Sequence, residues 1–262
     1  MNMVVRTWRR LFARVLLNMF FYSAVFGVEA SIDIDNEDFI KECVSAHNFY
    51  RSRVNPPASN MLYMSWDRIL AKAALEWSKN CKFEHNSALK VPGKLHPVFT
   101  PVGENIYVTT GSTLKVNSAI TSWYNEVNAY AYDSRRCTGV CGHYTQLVWA
   151  SSYKVGCAAH TCPSGIAGFS AAGSTIFVCD YGPAGNYPTR PYLKGKECSK
   201  CFKDRCENKL CRNTTLEMSS DSDSLCDQYC IAVLAIRPLS LIALVIGVYV
   251  LQQKYPDMFA YL

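Results

Sequence analysis

The stretch that decides how this chain folds is Gly142-His143-Tyr144-Thr145-Gln146-Leu147-Val148-Trp149. After its first residue neither Gly nor Pro interrupts it, and its aromatic and β-branched residues predict a β-strand. Alternation along that strand places His143, Thr145, Leu147 and Trp149 on one face. The imidazole at its head is either a satisfied core or surface group or, where other ligands converge on it, a metal ligand.

Length and composition indicate a globular protein. The chain has 262 residues, of which 49% are hydrophobic, enough for one sizeable domain with appendages. Its formal net charge is +6, but four arginines and one glutamate lie in a leader that we expect to be removed, which leaves +3. Because no Lys/Arg-rich block or nucleic-acid motif is present, we expect no nucleic-acid partner.

Residues 1–30 have the organisation of a secretory signal peptide. Arginines come first, the apolar run Val15–Val28 follows, and Val28-Glu29-Ala30 supplies a small-residue cleavage site. The alternative is a signal anchor that stays in the membrane. All 13 cysteines follow Ala30, a density typical of compartments where disulfides persist. The sequence therefore predicts export through the secretory pathway.

Apolar residues at helical spacing predict three helices in the first half of the chain. The first extends over about 35–54, the second begins at a cap at Ser65, and the third is capped near Ser112 or Thr113. His85 then follows the end of the second helix, and Glu126 lies on the edge of the apolar stripe of the third. His47 points from the first helix toward the core.

Strand-like runs follow mainly in the second half. Besides the opening stretch they are 103–108, 153–160 and 175–179, the last ending in a turn at 182–186. Helices followed by strands predict an α+β domain with a largely antiparallel sheet.

Four cysteines at Cys198-x-x-Cys201-x4-Cys206-x4-Cys211 dominate the segment after Tyr192. Because little apolar material surrounds them, we expect disulfides to hold this piece together. A zinc knuckle is the rival interpretation, although no histidine lies nearby. Asn213-Thr214-Thr215 is an N-glycosylation sequon, so Asn213 is a candidate glycan acceptor.

A polar linker, 216–230, leads to the apolar segment 231–251 and a short tail, 252–262. Twenty-one helical residues span roughly 31 Å, enough for a bilayer core. Arg237-Pro238 interrupts the segment, so either the arginine snorkels or the apolar unit shortens to 239–251. We favour a transmembrane anchor, with a glycolipid-anchor signal and full secretion as alternatives.

Together these motifs resemble the CAP superfamily of cysteine-rich secretory, antigen 5 and pathogenesis-related proteins. The motifs that carry the resemblance are Gly142–Trp149, Phe177–Tyr187, His47-Asn48-x-x-Arg51 and Gly103-Glu104-Asn105-Ile106. They occur in the family's order and cover roughly residues 35–192. Asp180 departs from the pattern, since a polar uncharged or basic residue is usual there. A hinge followed by an apolar tail is most similar to the glioma pathogenesis-related and glioma pathogenesis-related-like group.

For the fold, the resemblance implies a three-layer α-β-α sandwich with a central, mainly antiparallel sheet, followed by a small disulfide-rich hinge. We assign the CAP domain to 31–192 and the hinge to 193–215. For the site, it implies a cleft tetrad of His85, Glu104, Glu126 and His143. The two histidines suit Zn²⁺, and the carboxylates can orient water or fix the histidine tautomer. His96 and His160 match no role in the family.

The resemblance also implies four disulfides, which are Cys157–Cys179, Cys81–Cys162, Cys198–Cys206 and Cys201–Cys211. A further family disulfide is absent, because its positions are Val102 and Gly182 here. Three cysteines that precede the hinge are left over: Cys43, Cys137 and Cys141. With an odd set, at least one is free or pairs outside the domain, for example with Cys226 or Cys230.

For function we hypothesise a non-enzymatic, membrane-tethered extracellular protein that binds a cell-surface protein or a lipid such as a sterol. Relatives in reproduction suggest sperm-surface or gamete-interaction roles. The alternative is a zinc-dependent hydrolase or protease that uses a zinc-bound water with Glu104 or Glu126 as base. That alternative lacks a His-Glu-x-x-His motif, and nothing in the sequence selects a serine for a Ser-His-Glu variant.

Overall fold

The computed structural model describes residues 31–201 and 205–218 and the isolated positions 236, 237, 242, 247, 249, 250, 253 and 254. The chain divides into two compact units, Met1–Met218 and Ser219–Leu262, and the fold below belongs to the first. The signal peptide and most of the linker, apolar segment and tail lie outside the described residues, so they stay predictions. Among the residues described, no helix combines the length and apolar character that a membrane crossing needs.

Three helices form where apolar periodicity predicts them: α1 (Glu37–Arg51), α2 (Arg68–Ser78) and α3 (Val116–Asn125). Two predicted caps are wrong. Helix α2 is capped by Asp67, whose Oδ1 accepts the amides of Ile69 and Leu70, because Ser65 and Trp66 are used in strand pairing. Helix α3 begins after Lys115, without a side-chain cap, rather than at Ser112 or Thr113.

One four-stranded sheet has the order β1-β5-β6-β2. Its strands are β1 (Ser65–Trp66), β2 (Gly103–Thr110), β5 (Lys154–Cys162) and β6 (Ser174–Gly182). Only β1 pairs in parallel, so the predicted mainly antiparallel sheet is confirmed. A 3₁₀ turn (Glu126–Ala129) and the two-residue strands β3 (Tyr130–Ala131) and β4 (Arg136–Cys137) follow α3.

Helices cover both faces of the sheet. On one face Phe39, Ala119 and Ile120 of α1 and α3 pack with Phe177 and Tyr181 of β6. On the other face a second cluster joins α2 to the sheet; its buried members include Ala71, Ala74, Ile106, Ala158, Ile176 and Val178. This arrangement is the expected α-β-α sandwich.

The stretch predicted as a strand, Gly142 to Trp149, is not one. Gly142–Leu147 forms a short helix, α4. The carboxylate of Glu126 is the physical reason, because its Oε2 accepts the backbone amides of His143 and Tyr144 at 2.9 and 3.1 Å. An acceptor on these first-turn amides, with negative charge at a helix N-terminus, stabilises the helix. Within this helix the buried residues are Tyr144, Gln146 and Leu147.

Five disulfides join cysteines of the described residues. Four are the pairs that the resemblance implies: Cys157–Cys179, Cys81–Cys162, Cys198–Cys206 and Cys201–Cys211. The fifth joins Cys137 to Cys141, which leaves Cys43 buried and free among the leftover three. Pairing with Cys226 or Cys230 falls outside the described residues.

The hinge contains a small hairpin of β7 (Arg205–Glu207) and β8 (Leu210–Arg212), followed by the five-residue helix α5 (Thr214–Met218). Its four cysteines are oxidised, so no thiolates are present for a zinc knuckle. The hairpin is also held by apolar contact, since Leu210 is buried in the cluster beneath α1 and α3.

Candidate functional site

The first of two histidine–glutamate pairs lies where α3 ends and α4 begins. Nδ1 of His143 lies 2.6 Å from Oε1 of Glu126, and Oε2 of the same carboxylate holds the first turn of α4. The imidazole is roughly parallel to the indole of Trp123, which is buried in the core. Glu126 therefore fixes both the position of the helix and the orientation of the imidazole that it carries.

The second pair lies at the start of β2. Nδ1 of His85 lies 2.8 Å from Oε1 of Glu104, which also accepts the backbone amide of Asn86 at 3.0 Å. The carboxylate is fully buried, whereas 62% of the imidazole side chain is exposed. The hydrogen bond with Glu104 raises the pKa of His85 above its ordinary value, and partial burial opposes that rise.

Asn105 connects the elements that carry these pairs. It follows Glu104 on β2, and its side-chain amide donates to the carbonyl of His143 at 3.0 Å. The same amide lies 3.2 Å from the hydroxyl of Tyr181, which also contacts Nε2 of His47. Within the described ranges no hydrogen bond or ion pair joins one histidine–glutamate pair directly to the other. The two pairs therefore lie on adjacent elements linked through Asn105.

The pairing determines which imidazole nitrogen can bind a metal. An ionised carboxylate only accepts hydrogen bonds, so Nδ1 of each histidine is the nitrogen that donates to its glutamate, and Nε2 is the nitrogen through which the neutral ring would bind a metal. Zinc-binding histidines commonly donate their other nitrogen to a carboxylate in this way. The donor chemistry of each histidine thus suits Zn²⁺, for which imidazole nitrogen is a common ligand.

Two other clusters bring a histidine close to two sulfur atoms. His47 lies beside Cys157 and Cys179, and His160 lies beside Cys81 and Cys162. In each case the sulfurs form a disulfide, and the thiolate that binds metals does not exist. Neither cluster is therefore a metal site.

Two of the remaining histidines, His47 and His96, are buried. His47 is buried as predicted, and burial lowers its pKa to about 4, so it is neutral between Cys43 and Tyr181. His96, which the sequence left without a role, accepts the amides of Val98 and Phe99 at Nδ1. It thereby fixes the loop that follows His85.

Arg51 was recognised in the sequence only as part of a motif, and its contacts could not be foreseen. Its guanidinium is fully buried and donates to backbone carbonyls in the segment that follows α4. One sequence signal could have indicated these contacts. An arginine that is expected to be buried, with no buried acidic residue expected near it, must donate its hydrogen bonds to other acceptors such as backbone carbonyls.

Comparison with known proteins identifies the family. A model of the cysteine-rich secretory protein family, CAP, matches residues 44–181. The chain belongs to this family. The CAP domain contains both histidine–glutamate pairs, and the five disulfides agree with the oxidising compartment in which secretory proteins fold.

Named relatives confirm the group. Glioma pathogenesis-related protein 1 of Mus musculus is 53% identical over 192 residues, covering 73% of this chain and 71% of the relative. GLIPR1-like protein 1 of Bos taurus is 44% identical over 217 residues, covering 82% of this chain and 88% of the relative.

Solved structures share the CAP fold. NaASP2, whose structure was determined with Zn²⁺, superposes with a TM-score of 0.52 at 28% identity, covering 68% of this chain and 98% of that one. Hookworm platelet inhibitor superposes with a TM-score of 0.52 at 25% identity, covering 70% and 94%.

Proposed function

We propose that this CAP protein is a non-enzymatic extracellular binding module that recognises a cell-surface protein or a lipid, with His85 and His143 able to hold zinc. Its fold, its disulfides and its kinship with secretory proteins support an extracellular role. Tethering through 231–251 and a role in reproduction belong to the same proposal. The zinc in the NaASP2 structure supports metal binding by this fold.

The observation that carries the proposal is the set of hydrogen bonds that the carboxylates of Glu104 and Glu126 accept. Both oxygens of Glu126 are engaged, one by the His143 imidazole and the other by two amides of α4. Oε1 of Glu104 is engaged by His85 and Asn86, and its Oε2 is buried. A general base needs a free oxygen within reach of the water that it deprotonates. These carboxylates instead position imidazoles, which suits recognition rather than turnover.

The alternative, a zinc-dependent hydrolase, finds less support. A Ser-His-Glu arrangement requires a serine hydrogen-bonded to the histidine. In the ranges that the structure describes, neither His85 nor His143 makes a hydrogen bond with a serine or cysteine side chain. A metal held by only two protein ligands also falls short of the three typical of catalytic zinc.

Zinc titration of the wild type and of the double variant His85→Ala/His143→Ala tests the metal part of the proposal. We expect one zinc ion per wild-type chain by calorimetry and loss of this binding in the variant. His160→Ala is the matched control, because this histidine lies outside both pairs. Zinc binding that persists in the double variant contradicts the assignment.

Capture of cell-surface partners with residues 31–218, together with binding to vesicles that contain sterol or fatty acid, tests recognition. Peptide and ester hydrolysis are measured on the same samples, with and without zinc. We expect binding without turnover. Zinc-dependent turnover that disappears in the double variant would replace the binding proposal with the hydrolase.

A further inference from the structure

A pocket lies between the end of α1 and the hinge. Its volume is about 230 Å³, and its lining includes Arg53, Pro57 and Ala58 on the α1 side and Glu197 and Lys209 on the hinge side. Pockets that enclose a drug-sized ligand usually measure about 300–1,000 Å³. This pocket therefore has room for one small group, or for a single unit of a longer chain that continues outside it.

Two cations and one acid determine the charge of the pocket. The carboxylate of Glu197 lies 3.1 Å from Nζ of Lys209. The guanidinium of Arg53 lies over the ring of Phe49 and donates to the carbonyl of Phe49 and the hydroxyl of Ser52. In the described part of the chain Arg53 forms no ion pair, and a guanidinium has more donors than these contacts use. The pocket therefore favours an anionic group.

Two lysines of the hinge lie beside the pocket wall. The backbone of Lys194 pairs with that of Ala58, and the amide of Gly195 donates to the carbonyl of Pro57 at 2.9 Å. Lys196 follows, and both lysines are exposed. Because Pro57 and Ala58 line the pocket, this backbone pairing places both lysines next to it.

The row of cations continues to the turn between β3 and β4. Nζ of Lys194 lies 3.8 Å from Oδ1 of Asp133 in that turn. Arg190 donates to the carbonyl of Asp133 at 2.6 Å. Arg135, in the same turn, donates to the carbonyl of Pro188. These backbone acceptors fix both guanidinium groups, and neither arginine forms an ion pair among the residues described.

We propose that these cations form a binding face for a sulfated polysaccharide, with one sulfated sugar unit in the pocket and neighbouring units along the row. Two acids, Asp133 and Glu197, pair with them in the ranges that the structure describes. Clustered Lys and Arg attract a polyanion. No Lys/Arg-rich block exists in the sequence, so the fold brings these residues together. The basic face consists of Arg53, Arg135, Arg190, Lys194, Lys196 and Lys209.

The location of the protein favours a polysaccharide over a lipid surface. The chain belongs to a secretory family and has five disulfides, and anionic lipids are concentrated in the cytoplasmic leaflet of membranes. Sulfate oxygens, like those of phosphate, match the fork of donors that a guanidinium presents. A flexible chain can also enter a recessed pocket, which a flat layer of headgroups cannot. This choice of ligand rests on the extracellular role proposed above, whereas the basic face itself does not.

Binding of the full-chain protein to immobilised heparin, measured by surface plasmon resonance at about 0.15 M salt, tests the face. We expect binding that weakens as the salt concentration rises, because salt screens the charges and competes with the release of counterions. Heparin from which the sulfate groups have been removed is the matched ligand and should lose most of the binding. Absence of binding to heparin overturns the proposal, and so does equal binding to the desulfated chain.

Replacement of three exposed lysines, in Lys194→Gln/Lys196→Gln/Lys209→Gln, tests the contacts. Each exposed charge contact changes the affinity by roughly 1.4- to 5-fold, so this variant should bind heparin roughly 3–100-fold more weakly than the wild type. Its affinity should also depend less steeply on the salt concentration, because fewer counterions are released. An affinity equal to that of the wild type overturns the proposal.

The control variant, Lys72→Gln/Lys90→Gln/Lys94→Gln, removes the same number of charges elsewhere. These lysines are also exposed, one on α2 and two in the loop that follows His85. Because exposed charges farther apart than the Debye length, about 8 Å, are largely screened, we expect an affinity within about twofold of the wild type. A loss as large as that of the first variant would show that binding follows net charge and would overturn the basic face.

Vesicles distinguish the polysaccharide from a lipid surface. Binding to vesicles that contain phosphatidylserine is compared with binding to neutral phosphatidylcholine vesicles, which corrects for any contribution of the apolar segment. We expect no excess binding to the anionic vesicles at the same salt concentration. Excess binding there without binding to heparin overturns the polysaccharide. All measurements contain a metal chelator, so the result is independent of the proposed zinc site, and failure of either proposal leaves the other standing.

Discussion

Substitution of Arg51 by Met removes the donors that fix the chain after α4. The guanidinium donates to five backbone carbonyls, those of Leu62, Leu147, Trp149, Ala150 and Ser152. Two of these, Trp149 and Ala150, also accept a backbone amide. In the described ranges the other three have no second donor. The substitution therefore leaves two buried acceptors unsatisfied, the carbonyls of Leu147 and Ser152, and one half-buried acceptor, that of Leu62.

Each unsatisfied buried acceptor costs about 1–3 kcal/mol, so the two buried carbonyls give a gross loss of about 2–6 kcal/mol. Removal of the buried charge offsets part of it, because burial already disfavours the cation and lowers the pKa of Arg51 to about 9. The acceptors are backbone carbonyls, so no side-chain substitution can remove them, and they stay unsatisfied when the arginine is lost. We therefore expect a net loss of about 2–3 kcal/mol, a substantial part of the roughly 5–15 kcal/mol of a typical domain.

Urea denaturation of residues 31–218 at pH 7, followed by tryptophan fluorescence, measures this loss. At about 1–3 kcal/mol per molar urea, the midpoint should fall by roughly 1–3 M. Arg53→Met is the matched control, since Arg53 lies two residues further on and is exposed. Its guanidinium stacks over Phe49 at 3.7 Å and donates only at the surface, to the Phe49 carbonyl and the Ser52 hydroxyl. We expect the control to lose about 1 kcal/mol or less. A midpoint for Arg51→Met no lower than that of the control refutes the reasoning.

Three further substitutions or modifications test other contacts. Glu104→Gln should return the pKa of His85 toward its ordinary value of about 6.5, because the anion that raises it is gone; an unchanged NMR titration would contradict this. Cys43 should resist alkylation until the protein unfolds, since it is buried and burial raises the pKa of its thiol, and recovery of its peptide in a disulfide would contradict a free thiol. Gly156→Ala should destabilise the domain by about 1–3 kcal/mol or more in urea denaturation, because the new methyl group meets the backbone of Ala71; an unchanged midpoint would show that α2 can move away.

The glycan prediction at Asn213 stays a prediction. The structure places this residue before α5, where its Oδ1 accepts the amide of Leu216 at 3.1 Å. Sequence alone identified the sequon but not this capping role.

The sequence predicted those parts of the fold that depend on residues close together in the chain, and it failed where a distant contact decides. The apolar stripes of α1, α2 and α3 are repeated patterns within one element, so periodicity located all three. The caps were less predictable, because both Ser65 and Asp67 suit an N-cap. Pairing of Ser65 with Lys154, almost ninety residues away, decides between them.

The candidate site shows the same limit. The resemblance identified the two histidines and the two glutamates. Composition and spacing gave no indication that Glu126 would accept hydrogen bonds from the amides of α4. Asp180 was noticed only as a departure from the family pattern. Its position opposite Glu104 depends on strand register, which is not visible in a linear sequence.

Glu126 explains why the opening stretch was assigned to the wrong element. Its residues favour a strand locally, and a helix of six residues is too short to be stable by itself. One carboxylate from another part of the chain satisfies two of the first-turn amides and, through its second oxygen, the imidazole of His143. The carboxylate that converts the stretch into a helix therefore also directs Nδ1 of His143 at Glu126, so the folding of α4 and the orientation of its histidine have a single cause.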